Sequence, residues 1–472
     1  MPGREGLVVG DASSLVRPRT VTGGGEGLCS RAGLWWLAEV ADQLGLTARL
    51  RWAMRRLLWR DHHPGTTMAV MILALADGAT AMSDMAMLRG LRTLFGPVAS
   101  TATLWRTFNR IGPAELRDLA CADAEEARVT AWALEPSRSR IVIDIDATIV
   151  TCRSDKQDAA GTWKRSFGFH PLVAMDTERR EILAQMVRPG NAGSNTAADH
   201  VQVLAAAIDA LPEAERAGHD WDDNPEAVCC EIVIRSDSSG ATHWLAEEAT
   251  DRNCRFSLGY AINDRVRLAV EASMALDDTT TGAKRRWAPA IEADGEPRDG
   301  AEVADLTDFV DLSSWPEGTR LIVRRERAHP GAQLSLFDDI EGRRHTAFIT
   351  NQAGDAPVLE LAHRQRGAAE DVIRDLKACG YNNWPSEDIV NNQAWALCSA
   401  MAFNLLSRAQ RLTLTGPYRT ATPKTIRHRL LHIAGRITPS GRRHHLDRDW
   451  PWTPTILDGI HHAQTLTNRH AA

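Results

Sequence analysis

The fold is decided by residues 141–150, which read IVIDIDATIV. Aliphatic and β-branched residues surround two carboxylates, Asp144 and Asp146, that alternate with isoleucine. Because side chains alternate along a β-strand, both carboxylates project from one face and the isoleucines from the other. Carboxylates at the end of a buried strand are costly unless a metal, a cation or a proton neutralises them. The alternative is a strand end with one solvated aspartate and one helix cap.

Composition predicts a globular protein with more than one domain. The 472 residues exceed one ordinary core, and contents of 43% hydrophobic and 25% charged residues are typical of soluble proteins. No apolar run reaches the length of a membrane span, and the N-terminus lacks the pattern of a secretory signal. The eight cysteines form no C-x-x-C pair, which favours reduced thiols over a zinc site. We therefore expect a cytoplasmic protein without a membrane partner.

The net charge of −6 hides an uneven distribution. Residues 136–360 carry 25 basic and 39 acidic side chains, a net charge of −14. Residues 361–472 carry 15 basic and 8 acidic side chains, a net charge of +7. This asymmetry indicates a surface that faces a polyanion beside a region that binds cations.

The first third of the chain predicts a helical DNA-binding domain. Residues 1–30 are rich in glycine and predict a flexible N-terminus. Through 31–135 apolar residues recur at helical spacing, an arginine cluster includes Arg55 and Arg56, and a later capped helix carries Arg106. Short capped helices with basic residues are typical of a helix-turn-helix, and a helical bundle with surface arginines is the alternative.

From residue 136 onward the pattern becomes α/β. Residues 136–264 predict a strand, an antiparallel pair, a helix and further alternation, as in the first part of a ribonuclease H-like core. Residues 265–360 predict a β-rich insertion with turns containing glycine and proline. Residues 361–411 predict long helices that complete the core, and 412–472 a basic helical C-terminal region.

A charged helix face lies in the second part of this core. His363, Arg366, Glu370 and Lys377 are separated by 3, 4 and 7 residues, which places them within about 40° of one another on a regular helix. Taken alone, such a face is more often a solvated surface of salt bridges. Its importance depends on the carboxylates elsewhere in the chain.

Three carboxylates from separate segments predict a metal site. Asp146 and Asp237 each end an apolar strand, and Glu370 lies on the charged helix. Carboxylates that converge in this way can hold two divalent ions about 3.5–4 Å apart, which clamp the attacking and leaving oxygens of a phosphoryl displacement. Because Mg²⁺ prefers oxygen ligands, we expect two Mg²⁺ ions at this site, for which Mn²⁺ can substitute. Arg366 and Lys377 would contact the phosphate backbone of DNA beside the ions.

These motifs resemble those of the DDE transposases of bacterial insertion sequences. Residues 363–377 read H-x2-R-x3-E-x6-K, similar to the Y-x2-R-x3-E-x6-K signature of one branch, with histidine in place of tyrosine. Residues 146–148, DAT, match the D-x-T that ends the first core strand, and Asp237 matches the second aspartate. The separation of 133 positions between Asp237 and Glu370 leaves room for the β-rich insertion.

The resemblance implies catalytic and metal-binding roles for Asp146, Asp237 and Glu370, and a DNA contact for His363. It further implies a bacterial, nucleoid-associated enzyme that binds double-stranded DNA at terminal inverted repeats and at the target. Such an enzyme works as a homodimer in a synaptic complex and moves DNA by cut-and-paste. Some members form a hairpin intermediate in which a flipped base stacks on a tryptophan. Trp287 is the candidate for that stacking, and a partly buried β-sheet aromatic is the alternative.

Two other functions compete with a transposase. Residues 144–148 also match D-x-D-x-T, which resembles the signature of haloacid dehalogenase-type phosphatases, with Asp144 as the nucleophile. The hairpin-like strands after residue 150 disfavour that fold, which needs a parallel crossover. A catalytically inactive DNA-binding relative is disfavoured because all three carboxylates are present. Under the transposase hypothesis Asp144, on the same strand face as Asp146, becomes either a residue that supports the metal ligands from behind or a backup ligand.

Overall fold

The computed structural model describes residues 7–9, 19–21, 27–153, 156–193, 196–279, 286–327, 339–340, 342–438 and 443–466. The flexible N-terminus predicted for 1–30 falls largely outside these residues. A large mixed sheet combined with helices confirms the α/β class. Its strands are β1 (Arg140–Ala147), β2 (Leu172–Asp176), β3 (Glu181–Met186), β4 (Glu231–Ser236), β5 (Arg255–Tyr260), β6 (Ala288–Ile291), β7 (Pro297–Asp305), β8 (Arg320–Arg327), β9 (Asp339–Ile340) and β10 (Arg343–Thr350).

The strands are ordered β6-β7-β8-β10-β5-β4-β1-β2-β3, with β9 paired to β10. Strands β1, β4 and β5 are parallel to one another, whereas β2 is antiparallel to β1 and β3 is antiparallel to β2. Ile141 to Ile145 are all buried, as expected for a central strand covered on both faces. This explains why the stretch is almost continuously apolar.

The β-rich segment extends the same sheet beyond β5. Strand β10 pairs antiparallel with β5, from Ser257–Thr350 to Tyr260–Ala347, and β8, β7 and β6 follow in turn. The edge of β5 is therefore paired with β10, which comes later in the sequence, so β5 is not an exposed edge strand.

The helices lie mainly at the two ends of the chain. They span Leu34–Gln43, Leu46–Ala53, Pro64–Ala76, Met85–Arg89, Arg92–Phe95, Thr101–Phe108, Pro113–Ala122, Val129–Ala133, Ala197–Asp209, Glu213–Arg216, His243–Asp251, Asp264–Thr279, Ala356–Arg364, Ala368–Leu376, Ile389–Thr413, Pro423–Ile426 and Thr453–Gln464. None of the described helices is both long and apolar enough to cross a membrane.

The N-terminal helices share one hydrophobic core with the sheet. Helix Pro64–Ala76 packs along Ile389–Thr413, and Leu34–Gln43 packs on Thr453–Gln464. The wholly buried Trp36 donates from Nε1 to Thr413 Oγ1 at 2.9 Å. Removing the N-terminal helices would therefore expose the apolar faces of the long helix and of the C-terminal helix.

A buried ionic network connects the long helix to the edge of the sheet. Glu181, wholly buried on β3, accepts hydrogen bonds from Arg408 Nη2 at 2.6 Å, Arg411 Nη2 at 2.6 Å and Arg128 Nε at 3.3 Å. Burial raises the pKa of Glu181, but the arginines outweigh it and hold that pKa well below its usual range. Asp123 completes the network with two bonds from Arg408. A buried guanidinium with no such partner would be strongly destabilising.

Candidate active site

Asp146 and Asp237 lie side by side at one edge of the sheet. In the parallel pair β1 and β4, Ile145 is opposite Ser236, so the two aspartates are the next residues along their strands. Parallel strands bring their carboxyl ends to the same edge, where open sheets bind ligands. The sequence predicts that each aspartate ends a strand. The register of the two strands in the structure makes the two aspartates neighbours.

A tight turn fixes the carboxylate of Asp237. Its Oδ1 accepts backbone hydrogen bonds from Ser239 at 3.0 Å and Gly240 at 3.2 Å. A side chain at Gly259 would place a Cβ 2.7 Å from the backbone nitrogen of Ser238, so β5 can approach this turn only with glycine there. Within the described part of the chain no group donates to Oδ2 of Asp237, which leaves that oxygen available to a ligand.

Asp146 is held by one backbone bond and one cation. Its Oδ1 accepts the amide of Ala147 at 2.8 Å, and Nη1 of Arg366 lies 3.4 Å from Oδ2. Burial raises the pKa of Asp146 to about 6, although Arg366 lowers it, and the nearby charge of Asp237 adds to the rise. Two adjacent carboxylates share a single nearby cation, so this edge of the sheet has an excess of negative charge. It would therefore favour the binding of a further positive charge.

Asp144 lies in a buried ion pair with Arg235. Its side chain is wholly buried, and Arg235 on β4 donates to both of its oxygens, from Nε at 2.8 Å and from Nη2 at 2.7 Å. Thr177 donates a third bond at 2.7 Å, and Nη1 of Arg235 also reaches Ala362 O at 2.5 Å. This geometry contradicts a backup metal ligand and excludes a nucleophilic Asp144, because both oxygens are engaged in a buried ion pair, and it leaves the alternative of a supporting residue behind Asp146.

The charged helix is interrupted, and this changes the direction of His363. A 3₁₀ turn, Gln365–Gly367, separates helix Ala356–Arg364 from Ala368–Leu376. Arg366 faces Asp146, whereas His363 stacks on Phe348 at 4.3 Å with its Nδ1 2.9 Å from Ser257 Oγ.

Burial lowers the pKa of His363 to about 3, and nearby arginines add to the effect, so the ring is neutral at ordinary pH. The predicted common face is therefore corrected: His363 packs inward and is not aimed at DNA beside Arg366.

Glu370 lies on helix Ala368–Leu376, which follows the turn that holds Arg366, and Lys377 comes directly after that helix. Glu370 is exposed, one turn after Arg366, and Lys377 donates from Nζ to Ile149 O at 3.0 Å, directly after the first core strand. Across the described ranges no three His, Cys, Asp or Glu side chains are arranged to hold a metal ion. The structure thus brings together Asp146, Asp237 and Arg366, and places Glu370 on the neighbouring helix surface.

Trp287 is buried, as the alternative interpretation of a buried aromatic expects, and its ring is not open to a base. Only 1% of the residue is exposed, its Nε1 donates to Ser273 Oγ at 3.2 Å, and the guanidinium of Arg325 covers the ring at 4.2 Å. Stacking on a base would require the ring to leave this pocket. The preceding Lys284 and Arg285 lie outside the described residues.

The cavity beside the two aspartates contains residues that the sequence did not reveal. It has a volume of 690 Å³ and is lined by Asp146, Asp237, His200, His170 and Trp163 among others. Nδ1 of His200 lies 3.0 Å from Thr196 O, so the other ring nitrogen, Nε2, points away from that carbonyl. Trp163 is 71% exposed at the cavity mouth. The run Trp-Lys-Arg at residues 163–165 is the signal in the sequence that could have identified Trp163.

The arginines of the helical N-terminal region form a partly paired surface. Arg55 and Arg56 both donate to Asp118, at 2.8 and 2.7 Å, and Arg55 lies over the ring of Trp52 at 3.5 Å. Arg106 is exposed on helix Thr101–Phe108, whose N-cap is Ser100. This surface combines cations with exposed aromatic rings.

Comparisons with known proteins cover almost the whole chain. The family model described as transposase DDE domain group 1 matches residues 15–467. No curated protein matches. Among solved structures, the chain is similar to a piggyBac transposase synaptic complex with hairpin DNA, determined by cryo-EM. That match has 10% identity and a TM-score of 0.41, and it covers 85% of this chain and 80% of that chain. The chain belongs to the DDE transposases of domain group 1.

Proposed function

We propose that this transposase binds the terminal inverted repeats of its own insertion sequence and cuts and rejoins DNA strands by a cut-and-paste route. The single observation that carries the proposal is the juxtaposition of Asp146 and Asp237 on neighbouring parallel strands. Phosphoryl transfer on DNA needs positive charge where the reacting phosphate sits, and a carboxylate pair collects that charge as divalent ions.

The strand order supports a ribonuclease H-like core as part of this proposal. Strands β3-β2-β1-β4-β5 are adjacent, with an antiparallel meander at β1 to β3 and parallel strands β4 and β5. Asp146 lies on β1, and Asp237 directly follows β4. The insertion then adds β6 to β8 and β10 to the far edge, away from the catalytic strands β1 and β4.

Asp146, Asp237 and Glu370 are the proposed ligands of two Mg²⁺ ions, for which Mn²⁺ can substitute. Their donor set fits, because all three offer carboxylate oxygens, the ligands that Mg²⁺ prefers, and Asp237 Oδ2 receives no bond from a described residue. Bound ions would supply Lewis-acid stabilisation of the reacting phosphate. Arg366 lies 3.4 Å from Asp146 and would contact a phosphate that reaches the ions.

The proposed DNA contacts lie on two surfaces. Beside the carboxylates, Arg366 and Lys377 would contact the backbone of the strand that is cut. On the helical N-terminal region Arg55, Arg56 and Arg106 would contact the duplex of the terminal repeat. Two copies of the chain would hold the two ends in a synaptic complex, as the family resemblance implies.

A cleavage assay on the full chain tests this proposal. The substrate is a duplex that joins one end of the element to its flanking DNA, incubated with Mg²⁺. Asp146→Asn, Asp237→Asn and Glu370→Gln should each abolish cleavage while the protein still binds the duplex. Asp371→Asn is the control, because Asp371 is exposed next to Glu370 and pairs only with Arg374 among the described residues. Full cleavage by Glu370→Gln would refute the assignment of Glu370.

A further inference from the structure

His200 is a buried histidine in the wall of the catalytic cavity. Only 3% of the residue is exposed, yet its ring lines the same cavity as Asp146 and Asp237. It lies in the first turn of helix Ala197–Asp209. A buried polar side chain that faces a cavity needs a hydrogen-bonding partner, and the protonation of the ring determines which partner it can take.

A backbone carbonyl fixes the tautomer of His200. Nδ1 lies 3.0 Å from the oxygen of Thr196. A carbonyl oxygen can only accept a hydrogen bond, so the proton of the ring is on Nδ1. Burial lowers the pKa of His200, and the bond to Thr196 and the charge of Asp237 only partly offset this, so the ring is neutral at neutral pH. Nε2 therefore carries a lone pair and acts as an acceptor.

Nε2 of His200 lies beside the turn that holds Asp237. A Cβ added to Gly240 would stand 3.2 Å from Nε2 and 1.9 Å from Ser236 Oγ, so only glycine allows this close approach. The amide of the same glycine donates to Oδ1 of Asp237 at 3.2 Å. Gly240 thus adjoins both the ring and the carboxylate. Among the residues that the structure describes, none donates to Nε2, so this acceptor is available inside the cavity.

A buried arginine holds the first turn of this helix in place. Arg188 Nη1 donates to Asp199 Oδ2 at 3.0 Å, and Arg188 Nε donates to His170 O at 2.9 Å. Asp199 directly precedes His200, and only 3% of Arg188 is exposed. The ring of His200 is therefore positioned before a substrate binds, as a group that acts on a reacting atom has to be.

The chemistry of the cavity limits what can donate to Nε2. The ionised carboxylates of Asp146 and Asp237 and the oxygens of a phosphodiester only accept hydrogen bonds. Mg²⁺ prefers oxygen ligands, and in the described ranges no three His, Cys, Asp or Glu side chains are arranged around a common ion. The reaction brings one further group to this place, the hydroxyl that attacks phosphorus. It belongs to water when a strand is cut and to DNA when strands are rejoined, and its O–H is a donor.

We propose that Nε2 of His200 accepts a hydrogen bond from the attacking hydroxyl and so directs a lone pair of its oxygen at the phosphodiester beside Asp146 and Asp237. The inference rests on the proposed function and adds a catalytic residue to it. His200 orients the nucleophile and takes up no proton. Divalent ions bound at the aspartates would keep the ring neutral, because their positive charge opposes protonation of Nε2.

The first test determines the tautomer without cleavage. The ring nitrogens of the histidines are recorded by NMR in the ¹⁵N-labelled full chain at mildly alkaline pH, and the signals of His200 are those that disappear in His200→Gln. Nδ1 should appear as the protonated nitrogen and Nε2 as the unprotonated one. A proton on Nε2 would overturn the proposal, because that nitrogen could then not accept a hydrogen bond.

The second test compares two side chains of similar length that both favour helices. The amide oxygen in His200→Gln lies as many bonds from Cβ as Nε2 does and keeps an acceptor there, whereas His200→Met places an apolar methyl group at that point. At saturating Mg²⁺ and end duplex, His200→Met should cleave roughly 10- to 100-fold more slowly than wild type, with unchanged affinity for the duplex. His200→Gln should recover most of the rate. An equal loss in both variants would reveal a structural role and refute the proposal.

The control for these variants is His243→Met, which should cleave as fast as wild type. His243 lies outside the cavity, with its Nδ1 2.9 Å from Ser314 O and its ring stacked on Trp315. If His200→Met needs more Mg²⁺ but reaches the wild-type rate at saturation, the ring is a metal ligand and the proposal is rejected. If wild type does not cleave the end duplex, the proposed function itself fails. If wild type and His200→Met cleave equally fast, only the role of His200 fails.

A substrate with sulfur in place of the leaving oxygen separates attack from departure. A thiolate is a better leaving group than an alkoxide and does not need a hydrogen bond to leave. The rate of His200→Met relative to wild type should therefore be reduced equally on the sulfur and the oxygen substrate, since the attacking hydroxyl is the same. A deficit that disappears on the sulfur substrate would assign His200 to the leaving group and overturn the proposal.

Discussion

Asp146 and Asp237 end neighbouring parallel strands, one residue beyond the paired Ile145 and Ser236. Their oxygens are oriented by backbone amides and by one arginine, Arg366. The position of the two carboxylates depends on the fold, because the strand pairing that builds the core also brings them together. Asp144, two residues before Asp146, is buried and paired with Arg235. Substitution of Asp144 should therefore destabilise the protein, whereas substitution of Asp146 should stabilise it.

Asp144→Asn should destabilise the protein by about 3–5 kcal/mol, because Arg235 would remain buried without its counter-charge. The free energy of unfolding in urea measures the effect. Thr177→Val serves as the comparison, since it removes one neutral bond to Asp144 and should cost only about 1 kcal/mol. An Asp144→Asn protein as stable as wild type would contradict the assignment of a structural ion pair.

Asp146→Asn should make the protein more stable at neutral pH in a chelating buffer. The pKa of Asp146 is raised to about 6, so the folded state holds its proton more tightly than the unfolded state. The contribution of Asp146 to wild-type stability is therefore fully present below the ordinary pKa of 3.8 and is lost as the pH rises through about 6.

Because the asparagine variant lacks this loss, its advantage should grow between about pH 4 and 6. Its upper limit is about 3 kcal/mol, at about 1.4 kcal/mol per pKa unit, and the unpaired Arg366 will reduce it. The measurement is the unfolding midpoint of each variant across this pH range, with Asp371→Asn as the control. The account is contradicted if Asp146→Asn and Asp371→Asn change the midpoint in the same way.

Glu181→Gln should cost about 3–5 kcal/mol, since Arg128, Arg408 and Arg411 would lose a shared buried partner. Glu178→Gln, in an exposed pair with Arg138, should cost less than about 1 kcal/mol. The lowered pKa of Glu181 means that its contribution is present above the usual value of 4.5 and is lost as the pH falls below it. Equal costs for the two variants in chemical denaturation would show that the network is not stabilising.

Arg55→Ala combined with Arg56→Ala should weaken binding of the end duplex and reduce its dependence on salt. Each phosphate contact that is lost should lower the slope of log affinity against log salt by about 1. Arg267→Ala, an exposed arginine paired with Glu271, is the control. An unchanged slope in the double variant would place the duplex on another surface.

The central strands and the positions of Asp146 and Asp237 at their ends could be predicted from sequence, because each strand is an apolar run followed by a carboxylate. The partner of Asp144 could not, since Arg235 is 91 residues away and reaches it only through the register of β1 and β4. The direction of His363 depended on a single 3₁₀ turn, which helical periodicity does not report.

The burial of Trp287 and the exposure of Trp163 have the same explanation. Both lie beside basic residues in the sequence, and only tertiary packing separates them: Trp287 is covered by Arg325, whereas Trp163 occupies the tip of a hairpin. The common core of the N-terminal helices and the long helix was equally hidden, because it depends on contacts such as Trp36 with Thr413 across most of the chain.

The most direct test of the central claim is a metal-specificity switch at Asp237. Asp237→Cys replaces a hard oxygen ligand by a softer thiolate, which binds Mg²⁺ poorly and Mn²⁺ better. Cleavage of the end duplex by this variant should be lost with Mg²⁺ and recovered in part with Mn²⁺, whereas Asp371→Cys should cleave with either ion. Full Mg²⁺-dependent cleavage by Asp237→Cys would contradict the account, because Asp237 would then not be a metal ligand.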